Sequence, residues 1–494
     1  MATNFPPPTL PAGFSRDRQQ GDFLKESFPD DFAWGSATSS YQIEGAHDAD
    51  GKGPSVWDTF SHEPGRVECN HNGDVACDHY NHLEEDVQLI KNLGLKHYRF
   101  SISWCRILPT GDPSNVNQKG IDFYNRLLDC LAEAGISAMV TIYHWDMPQA
   151  LGDKGGWMNA EIVDLFKEFA RICFEQFGGK VKQWLTLNEP MVFALLGYGF
   201  GMHHPGQRDF FGKGCRVIHH LILAHAKVYH LYEASFKEKQ NGRVGIALCS
   251  TWNEPRNPNS EEDRQAAERA MRVAMGWFAW PIFKTGDYPE EVKTGVAAVC
   301  EKNGIKSTLP EFTKEEMRLN KGTADFLGWN YYTTSLVWSP SEAEKVGPTP
   351  FSQVAQITGS VDPEWKRGKC MFFHVVPWGI RNMANWLTKT FPSVDIYITE
   401  NGYSDEGQLD DSDRVDFFRN HLNELLKAIR LDGARVKGYY AWSLMDNFEW
   451  SNGYNVRFGM HHVDFTDPKR RRTKKASADF YKHLVQSNGF KENE

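Results

Sequence analysis

Two runs of the chain change character on a carboxylate. WLTLNEP at 184–190 moves from aromatic and aliphatic residues to Asn188, Glu189 and Pro190, and YITENGY at 397–403 reaches Glu400 and Asn401 in the same way. The glutamates are 211 residues apart in sequence (400 − 189). Two carboxyls facing each other are equipped to break an acetal. At about 5–5.5 Å one is a nucleophile and the other an acid that turns base, whereas about 6.5–9.5 Å leaves room for direct attack by water. Other apolar runs also end on polar residues: Arg99 in HYRFSIS, His144 in YHW, Asn330 and Tyr332 in GWNYY, and Glu449 just past AWSLM. Isolated charges there are costly to desolvate unless partnered, so the ring of them calls for a site or for sealing ion pairs. Pro190 predicts extended backbone at Glu189, because the residue before proline is pushed toward β geometry.

The elements that must position these groups recur eight times. FAWGSA (32–37), HYRFSIS (97–103), SAMVTIYHW (137–145), QWLTLN (183–188), RVGIALC (243–249), DFLGWNYYT (325–333), DIYITEN (395–401) and GYYAWSLM (438–445) read as strands. Between them, segments such as 82–94, 123–135, 161–178 and 414–433 repeat apolar residues at helical spacing and close on glycine, as helix stops do. Alternation of this kind predicts parallel βαβ units, and eight of them predict an α/β fold: a single (β/α)8 TIM barrel whose active site forms at the C-terminal ends of the strands. The chain is longer than the usual barrel of about 250 residues, which places long βα insertions at 44–80, 190–215, 252–323 and 334–372. The last, around SPSEAEKVGPTPFSQ, reads as a mobile surface loop. One domain at 28–485 is expected, with a loosely ordered tail at 1–27 and a C-terminal tail at 486–494. The basic run KRRRTKK (469–475) reads as a solvated turn before an amphipathic helix, in preference to a nuclear localisation patch.

Composition narrows the functional classes. A net charge of −9 and a pI near 6.1 argue against a nucleic-acid partner. No window approaches the roughly 18 apolar residues of a membrane span, and the proline-broken N-terminus lacks the apolar core of a secretory leader. Nine cysteines without a CxxC pair suit a reducing compartment, and no Asn-x-Ser/Thr acceptor occurs, so the cytoplasm is expected. His203 and His204 lack companions at metal-ligand spacing, so no metal is expected. Cys105 reads as a buried thiol. Sixteen tryptophans, several near the glutamates, suggest faces for sugars.

TLNEP and ITENG are the two signatures of glycoside hydrolase family 1, the β-glucosidase family. YQIEG (41–45), GPSVWD (53–58), YRFSISW (98–104), YHWDMPQAL (143–151), GTADFLGWNYYT (322–333), AWSLMDNFEW (441–450) and RFGMHHVDF (457–465) extend the resemblance over about residues 28–485. The look is closest to animal cytosolic and insect β-glucosidases. The resemblance implies a retaining exo-acting enzyme for terminal β-D-glucosyl, and also β-D-galactosyl or β-D-fucosyl, units of small β-glycosides. It implies no cofactor. Glu400 matches the nucleophile and Glu189 the acid/base; Arg99 and Tyr332 would hold Glu400. Gln42, His144, Asn188, Asn330, Trp442, Glu449 and Trp450 match the sugar-binding set, with Asn188 on the 2-hydroxyl. A negative Glu449 would repel phosphate and so select unphosphorylated sugars. Phe372 stands where many relatives place a tryptophan under the leaving group, so the aglycone side is expected to depart from the family. Thioglucosidases of the plant branch carry glutamine at the acid/base position, and non-catalytic receptor relatives lack one glutamate; Glu189 and Glu400 argue against both. An oligomer is compatible with the sequence but not predicted by it.

Overall fold

The computed structural model describes residues 23–306, 309–341 and 345–490. All eight expected runs are strands: β1 (Ala33–Ala37), β2 (His97–Ser101), β3 (Ser137–Tyr143), β4 (Gln183–Asn188), β5 (Arg243–Cys249), β6 (Phe326–Asn330), β7 (Asp395–Asn401) and β8 (Val436–Trp442). They pair in parallel around a closed barrel in the order β1, β8, β7, β6, β5, β4, β3, β2. Closure joins the ends of the chain: Ala33 lies opposite Gly438, and Gly35 opposite His97. Strands covered on both faces need apolar residues at successive positions, which is why they read as continuous runs. One apolar cluster, including Met139, Leu185, Phe326 and Tyr440, fills the inside, and a larger one lies between the strands and the outer helices. Gly35 makes room for that filling, since a Cβ there would come 2.5 Å from the Tyr440 ring.

The expected helices form at His79–Asn92, Gln118–Glu133, Ile162–Phe177 and Ser412–Arg430. Gly94, Gly135 and Gly433, just beyond three of them, take positive φ of 68–76°, the left-handed stop that glycine adopts without steric cost.

The structure revises several expectations. The second, third, sixth and eighth strands end two, two, three and three residues earlier than their runs, so His144 and Tyr332 stand in loops. The insertion at 334–372 is not loop throughout: Thr334–Trp338 pairs with Trp252–Pro255 and Thr358–Ser360, and Pro350–Ala355 is helical. Residues 342–344 of that segment lie outside the described residues. The basic run is a turn only in part. Arg472–Lys474 is a strand paired with His461–Val463, and Arg472 is buried with two hydrogen bonds to Asp86, at 2.7 and 2.9 Å. Lys475 is buried beside Asp446 at 2.9 Å. The described parts of both expected tails meet: the Phe490 N–H donates to Glu26 O at 3.0 Å, and the Phe23 and Phe490 rings lie 4.9 Å apart. Residues 1–22 and 491–494 lie outside the described residues.

Candidate active site

Both glutamates stand where the ladder breaks. The register of β7 shifts between Ile398 and Glu400 against β6, and that of β4 shifts between Leu185 and Asn188 against β5. Such irregularities re-aim side chains next to active sites. Glu189 follows β4 with φ 45° and ψ 54°, a left-handed conformation. The expected extended backbone is therefore wrong here. Proline disfavours the right-handed helical region for its predecessor, and Glu189 leaves that region in the other direction. There it caps the N-terminus of helix Pro190–Ala194, and its N–H donates to Ala247 O at 2.9 Å.

The two carboxyls have opposite surroundings. Glu400 Oε1 accepts from Arg99 Nη1 at 2.7 Å and Oε2 from the Tyr332 hydroxyl at 2.8 Å. Glu189 accepts from Asn330 Nδ2 at 2.7 Å and has no cation in direct contact among the described residues. Burial, reinforced by the charge of Glu400, pushes its pKa up to about 8. A proton donor thus faces a carboxylate held by a guanidinium.

Beneath them runs a connected polar floor. Arg99 Nη2 donates to Asn188 Oδ1 at 2.6 Å, Asn330 Nδ2 reaches the same oxygen at 3.2 Å, and Thr399 Oγ1 donates to Asn330 Oδ1 at 2.6 Å. Asn188 Nδ2 faces His144 Nε2 at 3.0 Å. Burial and the charge of Arg99 keep the imidazole neutral, so Nε2 accepts and the proton sits on Nδ1, which has no partner among the described residues. Gln42 Nε2 donates to Asn447 Oδ1 at 3.1 Å, to Phe448 O at 2.9 Å and to Glu449 Oε2 at 3.4 Å. Trp442 and Trp450 each lie near-parallel to the His144 ring, at 6.2 and 5.9 Å.

These groups surround a hollow of about 310 Å³. Ten of the twelve residues expected from the sequence line it; Arg99 and Asn330 lie underneath, acting on the glutamates from the barrel core. Phe372 is at the mouth, 56% exposed. His203 packs against Trp57 at 5.1 Å and lines the same hollow. Cys105 is buried, donating to Asp146 O at 3.2 Å. Burial, and with it the charge of Glu400, pushes the pKa of Glu449 up to about 8. No lysine or arginine lines the hollow among the described residues, so a phosphate there would meet no counter-charge.

Sequence reasoning missed three contributors. Cys249, the last residue of β5, hydrogen-bonds Glu189. Trp145 donates to Asn188 O at 2.9 Å, and Phe373 stacks on Tyr332 at 4.6 Å and 11°. The first two follow directly from strand-end runs already singled out, so their positions were legible although their partners were not.

A parallel eight-stranded barrel with a proton-bearing and a cation-held carboxyl at one mouth defines a glycoside hydrolase. Residues 24–490 match the model of glycosyl hydrolase family 1, and the chain belongs to that family. It is similar to the human cytosolic beta-glucosidase, 47% identical over 94% of this chain and 99% of that one. Among solved structures it resembles an aphid myrosinase (TM-score 0.90, 42% identity, 94% and 100% of the chains). It also resembles a rice beta-glucosidase variant in a covalent complex with glucose (TM-score 0.86, 40% identity, 92% and 98%).

Proposed function

We infer that the enzyme is a retaining exo-β-glycosidase that removes terminal β-D-glucosyl units, and β-D-galactosyl or β-D-fucosyl units, from unphosphorylated small glycosides. The observation that carries this reading is the asymmetry of the two carboxyls: Glu400 held by Arg99 and Tyr332, Glu189 poised to keep a proton. Glu400 attacks the anomeric carbon as the bond to the aglycone oxygen breaks, and Glu189 gives that oxygen its proton. The ester so formed removes the charge of Glu400, one of the causes that raise Glu189. Its pKa then falls, and Glu189 takes a proton from the water that attacks the ester. The covalent glucose complex of the rice relative supports such an intermediate.

The sugar is assigned to Gln42, His144, Asn188, Asn330, Trp442, Glu449 and Trp450. The unpartnered Nδ1–H of His144 donates to a hydroxyl, and the amides of Gln42 and Asn188 can both donate and accept. A barrel core closing the hollow from below supports attack at a chain end. The cytoplasm is the proposed location, supported by nine unpaired cysteines and the cytosolic relative; no described helix is long and apolar enough to cross a membrane.

Glu400→Gln is expected to abolish hydrolysis of an aryl β-glucoside, and unchanged turnover overturns the assignment. NMR of the first-formed sugar is expected to show the β anomer; an initial α product excludes retention. Glu189→Gln should depress poor leaving groups far more than activated ones.

A further inference from the structure

Strand β5 holds Glu189 at two points. Ala247 O accepts from the Glu189 N–H at 2.9 Å. Two residues on, Cys249 ends the strand and lines the hollow beside the carboxyl. Side chains two apart on a strand share a face, and Ala247 belongs to the cluster that fills the barrel, so Cys249 rises over that filling into the mouth. Its neighbour across the ladder is Asn330, whose Nδ2 donates to Glu189 Oε1 at 2.7 Å. Adjacent strands thus present two donors, an amide and a thiol, to one carboxyl. Burial and the charges of Glu189 and Glu400 raise the thiol well above its ordinary range, so it stays S–H and donates.

Resting on the glycosidase reading, we propose that Cys249 is a positioning residue for the acid/base, its S–H aligning the Glu189 carboxyl and favouring the ionised form that acts as base in the second step. The two steps ask opposite things of Glu189, a proton in the first and none in the second. A thiol is a weak donor, so it leans toward the base without stripping the acid of its proton; a cation in its place would hold the carboxyl ionised in both steps. The other charged or titratable groups that act on Glu189 or are acted on by it are Glu400 on β7, Arg99 on β2 and, beyond β6 and β8, Tyr332 and Glu449. His144, His203 and Cys370 line the same hollow, both imidazoles being kept neutral by burial. Once the ester removes the charge of Glu400, Asn330 and Cys249 remain as the side-chain donors on Glu189 among the described residues.

The test follows the basic limb of kcat/KM for 4-nitrophenyl β-D-glucoside in Cys249→Ala, Cys249→Val and Cys249→Ser. Alanine and valine both lack the donor, one being smaller and the other larger than cysteine, whereas serine keeps one. The limb is expected to move up by about half a pH unit in the first two, roughly threefold in the ionisation ratio of Glu189, and to stay at or below the wild-type position in Cys249→Ser. A packing role would instead group serine with alanine; that grouping, or a limb unmoved in both Cys249→Ala and Cys249→Val, overturns the proposal. The S–H stretch in the infrared gives a second reading that needs no change at position 249. Difference spectra across pH 8 are expected to show an S–H band moving to lower frequency in the wild type and not in Glu189→Gln; identical spectra overturn the contact. A basic limb that survives in Glu189→Gln, or a wild-type protein that does not turn over the nitrophenyl glucoside, sinks the underlying reading and the role of Cys249 together. A limb lost in Glu189→Gln but indifferent to position 249 sinks the role of Cys249 alone.

Discussion

At the scale of single residues, environment divides the labour between chemically identical groups. In the proposed mechanism Glu189 carries its proton into the first step, and its pKa of about 8 sets where that ends. As pH rises past that value the protonated fraction drops, so kcat/KM should fall on the basic side, approaching tenfold per unit. The residual activity of Glu189→Gln on an activated aryl glucoside should lack that limb; a pH profile of both proteins decides it. Asp146 is the comparable case outside the chemistry. It is buried, accepts from Ser40 Oγ at 2.7 Å, and has its pKa pushed up to about 8 by burial. Between its ordinary 3.8 and that value the folded chain holds a proton the unfolded chain has released. Stability attributable to Asp146 is therefore present at low pH and lost as pH rises through this window. Asn cannot titrate, so melting temperatures should turn progressively in favour of Asp146→Asn between about pH 5 and 8. A constant difference across that range rules the account out.

At the scale of elements, the basic run 469–475 illustrates what local sequence conceals. Arg471 is exposed, whereas Arg472 is enclosed with Asp86, which also binds His79 at 2.7 Å. Removing one partner of a buried pair leaves an uncompensated charge, a loss of about 3–5 kcal/mol. Arg472→Met should therefore lower the denaturant midpoint sharply while Arg471→Met leaves it in place; equal effects would restore the solvated-turn reading. The partner of Arg472 is 386 residues away, and no local pattern announces it. The barrel strands were legible for the opposite reason, because burial on both faces writes itself into consecutive residues. Their ends were drawn too long because aromatic residues continue past the ladder, as Tyr331 and Tyr332 do beyond β6. The short sheet at 252–255, 334–338 and 358–360 went unseen, since strands of three to five residues barely complete an alternation. The polar groups of the site were legible by type and place, and the left-handed turn at Glu189 and the thiol of Cys249 beside it were not.

At the scale of the whole molecule, all nine cysteines are unpaired; six are buried, Cys130 and Cys249 are partly buried, and Cys69 is exposed. An aromatic disulfide reagent should therefore titrate one thiol rapidly in the native protein and nine after unfolding without reductant. Fewer than nine would reveal a disulfide and contradict a reducing compartment. The same view gives meaning to barrel closure. The first strand hydrogen-bonds to the last, Ala37 lying opposite Trp442, and the groups assigned to the chemistry and the sugar are delivered by nearly every strand between. No fragment released early contains both carboxyls and the tryptophan floor. A chain emerging from the ribosome therefore has no chemistry until its final strand arrives. In refolding, recovered hydrolysis would time the meeting of the two ends, not the gain of helix.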